Sequence, residues 1–134
     1  MFAANDWETL ASANKQLVTY QLHILVAEGR FIKVGRRGDC YFPAGHYLYT
    51  GSARRNLIAR VRRHLSSTKT LRWHIDYLLN TPGVSITAVN LFEQPECTLN
   101  QTVEGEIIMP GFGASDCRVH CGSHLKYLGS INSK

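Results

Sequence analysis

Tyr49-Thr50-Gly51-Ser52-Ala53, followed by Arg60 and then His64, is the stretch on which the reading of this chain turns. His46 to Thr50 predicts a short strand in which Tyr47 and Tyr49 share a face, because side chains on a strand alternate with a period of two. Gly51-Ser52-Ala53 ends that strand. Asn56 then stands where an N-cap is expected, before a helix running to Leu65 with Leu57, Ile58, Val61 and Leu65 as its apolar stripe. Arg60 and His64 are one turn apart on the edge of that stripe, so their heads reach one locus. Hydroxyl and phenol groups there can orient a nucleophile or take its proton, and a guanidinium can hold phosphoryl oxygens in a fixed fork. Gly51, read as exposed, lets another backbone approach closely. These are groups suited to phosphate.

The surrounding charge agrees. The chain has 134 residues and a formal net charge of +5. Residues 36–72 hold nine Lys or Arg (Arg36, Arg37, Arg54, Arg55, Arg60, Arg62, Arg63, Lys69 and Arg72) against the single acid Asp39. Six basic and nine acidic residues remain elsewhere, so the positive charge is concentrated, as expected for a surface that meets a polyanion. A solvated basic face is the plainer alternative, but the preponderance of arginine points to phosphate recognition.

Working outward, residues 1–15 read as a polar lead-in with a short helix opening at Asn5 or Asp6, and residues 17–128 as the body of a single domain. Val18, Tyr20, Leu22, Ile24 and Val26 alternate as a first strand. Phe31 to Val34 returns as a second strand, and a hairpin turns around Gly35 and Gly38. Thr70 is placed to cap a helix from Leu71 to Asn80 with Trp73, Tyr77 and Leu78 inward, stopped by Thr81-Pro82-Gly83. Val84 to Phe92 reads as a strand. Pro95 and Glu96 open a helix carrying Leu99, Val103 and Ile107 on one face, and Asp116 to Leu128 reads as a partly helical tail. The expected class is α+β: a small, mostly antiparallel sheet of three or more strands flanked by helices. No apolar run is long enough to span a bilayer, and Asn5, Asp6 and Glu8 break any secretory signal, so a cytoplasmic protein with free thiols is expected.

The motif and its continuation resemble the GIY-YIG nuclease superfamily. Gly45-His46-Tyr47-Leu48-Tyr49-Thr50-Gly51-Ser52-Ala53, Arg63-His64-Leu65, Trp73-His74-Ile75-Asp76-Tyr77, Glu96-Cys97 with Leu99, and Gly113-Ala114-Ser115-Asp116-Cys117 with Ser123-His124-Leu125 are similar to one bacterial and archaeal branch. That branch is a domain of unknown function sometimes found beside DNA-repair modules. The resemblance runs from about Val18 to Leu128. It places the first-motif tyrosine at Tyr20, with Tyr47 of Gly45-His46-Tyr47 as the other candidate. Val18 stands where the superfamily has glycine. Tyr49, Arg60 and His64 match, and Glu96 is best placed for the metal-binding glutamate.

What the resemblance implies is hydrolysis of DNA phosphodiester bonds with one divalent ion, magnesium or manganese. A tyrosine activates water, Arg60 steadies charge on the phosphate, and Glu96 ligates the metal. Arg54, Arg55, Arg62, Arg63 and Arg72 then track the DNA backbone with little sequence choice, and a DNA-repair enzyme is the implied protein partner. The alternative is a nucleic-acid-binding module that kept the fold and lost turnover. A phenol titrates near 10, so a tyrosine base needs help from Arg60, the metal or the second tyrosine. Trp73 and Tyr77 read as core, and His74 with Asp76 as a structural pair. Cys117, His120, Cys121 and His124 invite a zinc reading, but four donors packed into eight residues rarely close a tetrahedron around one ion, and zinc is not expected.

Overall fold

A computed structural model of the chain describes residues 7–35, 38–53, 55–66, 71, 73–108, 112 and 123–130. After a first helix α1 (Trp7–Ala13) come strands β1 (Thr19–Val26), β2 (Arg30–Lys33), β3 (Asp39–Phe42) and β4 (Gly45–Ser52). Helices α2 (Leu57–Leu65) and α3 (His74–Leu79), strand β5 (Val84–Phe92), helix α4 (Glu96–Gln101) and strand β6 (Leu125–Gly129) complete the order. β1, β4, β5 and β6 form one antiparallel sheet in the order β5-β1-β4-β6, and β2 and β3 pair as a separate two-stranded sheet. The class is α+β, as expected.

β1 owes its central place to its composition. Tyr20, Leu22, Ile24 and Val26 on one side and Thr19 and Gln21 on the other are all buried, which suits a strand covered on both faces. It runs against β4 with Tyr20 opposite Gly51 and Val26 opposite Gly45. The apolar residues of the sheet merge with Val61 of α2, Ile75 and Leu78 of α3, Phe42 of β3 and Phe112 into one core. α1 packs on β5 and α2, α3 on β5 and β2, and α4 on β4. Among the described residues no helix is long and apolar enough to cross a membrane.

Several expected boundaries move, each for a local reason. Asn56 does precede α2, but its side chain makes no cap; the residue adopts φ 56 and ψ 43, a left-handed conformation that asparagine tolerates better than most residues. α3 starts at His74 rather than Leu71, where the Asp76 carboxylate accepts the Trp73 backbone N–H at 2.9 Å. Thr70 lies outside the described residues. α4 stops at Gln101 instead of reaching Ile107: the Thr102 N–H and hydroxyl both bond the Leu99 carbonyl. Gly105 then lets the chain lie against Lys126, and Glu106 bridges Tyr127. The tail read as partly helical contributes β6 on the outer side of β4.

Candidate functional site

The end of the sheet where β1 begins and β4 finishes carries the candidate site. Tyr20 projects from β1 across Gly51 of β4, so closely that a Cβ added to Gly51 would sit 2.5 Å from the Tyr20 hydroxyl. The expected role of this glycine changes accordingly. It is buried rather than exposed, and the group it admits is a phenol of the same chain rather than an outside backbone.

α2 brings two groups to that phenol. The Tyr20 hydroxyl lies 2.7 Å from Nε2 of His64, which is 2 % exposed. The Arg60 guanidinium lies close enough to the phenol for its charge to favour the phenolate. Arg60 donates through Nη1 to the Ser52 carbonyl at 3.2 Å and lies 4.6 Å over the Trp73 ring. Tyr49 presents its ring edge-on to His64, centroids 6.1 Å apart, and packs on Phe112. Tyr47, the rival for the first motif, points elsewhere: its hydroxyl donates to the Pro43 carbonyl at 2.6 Å, and its ring packs on Tyr127. Tyr20 is therefore the phenol that meets His64 and Arg60.

Glu96, in the first turn of α4, closes the group. The Ser52 hydroxyl donates to its Oε1 at 2.8 Å, and Nδ1 of His124 lies 3.1 Å from its Oε2. The other ring nitrogen of His124 faces the Cys97 thiol at 3.7 Å. Two bonded groups thus meet here, Arg60–Ser52–Glu96 and Tyr20–His64, with the Arg60 charge near the phenol and Tyr49 against the histidine.

The electrostatics separate these groups. Burial pushes the Tyr20 phenol well above its ordinary value, and Arg60 pulls it back only in part. Tyr49 is driven up by burial too, reinforced by Tyr20, Glu96 and Asp76. Both phenols are neutral at pH 7. For Glu96, burial works to raise the value, but hydrogen bonds from His124 and Ser52 and the charges of His124 and Arg60 outweigh it and hold the carboxyl below its usual range. It is ionised, and its side chain is 31 % exposed. A carboxylate has about four lone-pair sites, so the contacts from Ser52 and His124 leave room for one cation. Glu96 is the described residue that could hold an ion such as magnesium, which keeps several waters and accepts a single carboxylate.

The remaining residues from the sequence divide. Arg54 and Arg72 lie outside the described residues. Arg55 is exposed. Arg62 is exposed and ion-paired with Glu8 of α1. Arg63 turns inward, both terminal nitrogens bonding the fully buried Asp76 at 2.8 and 2.9 Å, with its guanidinium 4.2 Å over Trp73. Asp76 thus pairs with Arg63, and His74 packs on Phe112. Cys117, His120 and Cys121 lie outside the described residues. Among the described residues no group of three or more His, Cys, Asp or Glu could hold a metal together, and Cys40 and Cys97 are in no disulfide.

Two participants were not assigned from sequence. Trp73, read as core, is half-buried under two guanidinium groups. His124, 28 positions beyond Glu96, was marked by Ser123-His124-Leu125 and by the zinc reading with Cys117, His120 and Cys121, neither of which points to Glu96. No curated protein and no solved structure matches this chain. A family model, the domain of unknown function DUF123, matches residues 19–134, beginning at the first residue of β1. The chain belongs to that family.

Proposed function

We propose that this protein is a divalent-metal-dependent phosphodiesterase acting on DNA, with chemistry of the GIY-YIG kind. The observation that carries the reading is the Tyr20–His64 pair at 2.7 Å beside the chain in which Arg60 donates to the Ser52 carbonyl and the Ser52 hydroxyl donates to Glu96. Arg60 is half-buried and braced by the Ser52 carbonyl and Trp73, so its guanidinium is pre-aimed at phosphoryl oxygens. A neutral buried phenol is a poor base by itself. Coupled to His64, it becomes a relay: the Tyr20 oxygen takes a proton from water as its own proton passes to Nε2. Glu96 would hold the single magnesium or manganese ion, and Ser52 and His124 orient it. When bound, that ion supplies positive charge against the leaving oxygen.

Binding without turnover is the second reading, favoured by the burial of both phenols, 2 % and 7 % exposed, and by Val18 in place of a glycine. Plasmid and branched DNA incubated with magnesium or manganese separate the two, comparing the wild type with Glu96→Gln, Arg60→Ala and Tyr20→Phe. Cleavage lost in all three variants supports hydrolysis at this site. DNA retained but never cut supports the second reading, and cleavage indifferent to all three changes refutes the site.

A further inference from the structure

Cys97 and His124 approach each other from separate elements. Cys97 lies in the first turn of α4, and His124 stands directly before β6. Nε2 of His124 is 3.7 Å from the Cys97 sulfur, and the other ring nitrogen, Nδ1, is 3.1 Å from Oε2 of Glu96. A thiol, an imidazole and a carboxylate thus stand in line. The proposed hydrolysis gives no part to the thiol or to Nε2.

The pair is held from several sides. The His124 backbone N–H donates to the Phe112 carbonyl at 2.8 Å, and its carbonyl accepts from the Thr50 N–H of β4 at 3.0 Å. Asn100 of α4 donates through Nδ2 to the Ser123 carbonyl at 2.8 Å, which ties the helix carrying Cys97 to the residue before His124. His124 is 2 % exposed, whereas Cys97 is half-buried. Sulfur and nitrogen are therefore fixed at a separation set by the backbone, with solvent reaching the cysteine.

We propose that the Cys97 sulfur and Nε2 of His124 are two ligands of a thiophilic divalent ion of the zinc class. Tetrahedral zinc has Zn–S of about 2.3 Å and Zn–N of about 2.0–2.1 Å, which puts a sulfur and a nitrogen ligand about 3.5–3.6 Å apart. The 3.7 Å separation needs almost no closure. A metal-bound histidine ordinarily gives its other N–H to a carboxylate, and Glu96 stands there, keeping the proton on Nδ1 and the lone pair on Nε2. Binding releases the thiol proton to solvent and leaves the thiolate on the ion. Glu96 faces the imidazole rather than the ion, in keeping with the absence of a three-donor group among the described residues. Water entering beside Cys97 fills the open corners. Unlike the run from Cys117 to His124, these ligands come from two elements that face each other, which frees them from the short spacing of that run. Magnesium is a hard ion that takes oxygen ligands, so this site differs in chemistry from the one given to Glu96.

The test titrates the metal-free full chain with cobalt(II), a spectroscopic stand-in for zinc, with a non-thiol reductant and without DNA. Sulfur-to-cobalt charge-transfer absorption should grow to saturation, vanish on adding zinc and persist in excess magnesium. It should be absent in Cys97→Ser and His124→Gln and unchanged in Cys40→Ser. Glu96→Gln should keep the band, with cobalt affinity about 10- to 100-fold weaker. Melting curves check each variant, since His124 is buried; Cys97→Ser exchanges one atom at a half-buried position and decides the question where His124→Gln does not fold. No band in the wild type would mean that thiol and imidazole only share a proton, and it overturns the site. So does a band that survives Cys97→Ser, displacement of cobalt by magnesium, or unaltered affinity in Glu96→Gln. No arm of the test reads cleavage, so this site and the proposed hydrolysis stand or fall separately.

Discussion

Replacing Asp76 or Arg63 tests whether this arginine is part of the fold or of the proposed DNA surface. Asp76 has no exposed surface; its carboxylate takes two bonds from Arg63 at 2.8 and 2.9 Å and the Trp73 N–H at 2.9 Å. Arg63 is 23 % exposed through its side chain, so water can replace part of what it loses. Asp76→Ala removes two charge-assisted bonds, each about 1.5–3 kcal/mol, and a helix cap of about 1 kcal/mol. Relief of carboxylate desolvation and rehydration of Arg63 offset part of that, leaving a net loss of about 3 kcal/mol. Arg63→Ala strands a buried carboxylate and should cost about 3–5 kcal/mol. The double variant should fall short of the sum by about 2 kcal/mol, because neither change then leaves the other partner behind. Urea unfolding at pH 7, followed by circular dichroism with m-values compared, measures all three. Losses under about 1 kcal/mol in both single variants, at unchanged m, would refute the argument. A stable Arg63→Ala protein whose DNA affinity drops and whose salt slope falls by about 1 would put Arg63 among the phosphate contacts instead.

Three further outcomes are expected. Tyr20→Phe should lower DNA cleavage at least about a hundredfold while changing stability by about 1 kcal/mol; equal turnover on plasmid DNA would remove Tyr20 from the reaction. Gly51→Ala places a carbon 2.5 Å from the Tyr20 hydroxyl, so the ring must move, at about 1–3 kcal/mol. Its cleavage should drop as in Tyr20→Phe, and adding Tyr20→Ala should recover part of the lost melting temperature. Glu96 has a lowered folded-state value, so the folded protein releases this proton more readily than the unfolded chain. Its stabilisation is present above the ordinary value of 4.5 and lost as pH falls below it through the folded value. Melting curves of Glu96→Gln and wild type should therefore differ at pH 7 and converge on acidification; a constant difference would mean the carboxylate is not held as described.

The parts of the fold with regular local patterning were readable in advance. Val84 to Phe92 was bounded correctly because alternation and Pro82-Gly83 mark it, and β1 and α2 followed from their periods of two and of one helical turn. β6 was hidden because its approach carries buried polar residues. Ser123 and His124 are 0 % and 2 % exposed, and Lys126 is buried with its ammonium on the Asn100 and Val103 carbonyls. A buried lysine with two carbonyl partners gives no apolar signal. α4 was read too long because Val103 and Ile107 continue the helical spacing, while Thr102 and Gly105 end it. Of the candidate site, the motif named Tyr20, Tyr49, Arg60, His64 and Glu96, which the fold gathers at one end of the sheet. The inward turn of Arg63 depended on Asp76, thirteen positions away, and no local pattern could disclose it.

β1 has a neighbouring strand on each side and is nearly free of solvent, and it holds Tyr20. Its amides should exchange with solvent only when the entire molecule unfolds. The Tyr20 phenol is thus held on a strand anchored by two ladders. On the proposed reading, what gives way to a ligand is the α2 arginine and the start of α4, which are joined to the sheet by side chains rather than by backbone pairing. Slow deuterium uptake along Thr19–Val26, with faster uptake in Leu57–Leu65 and Glu96–Gln101, would mark a fixed floor under a yielding roof.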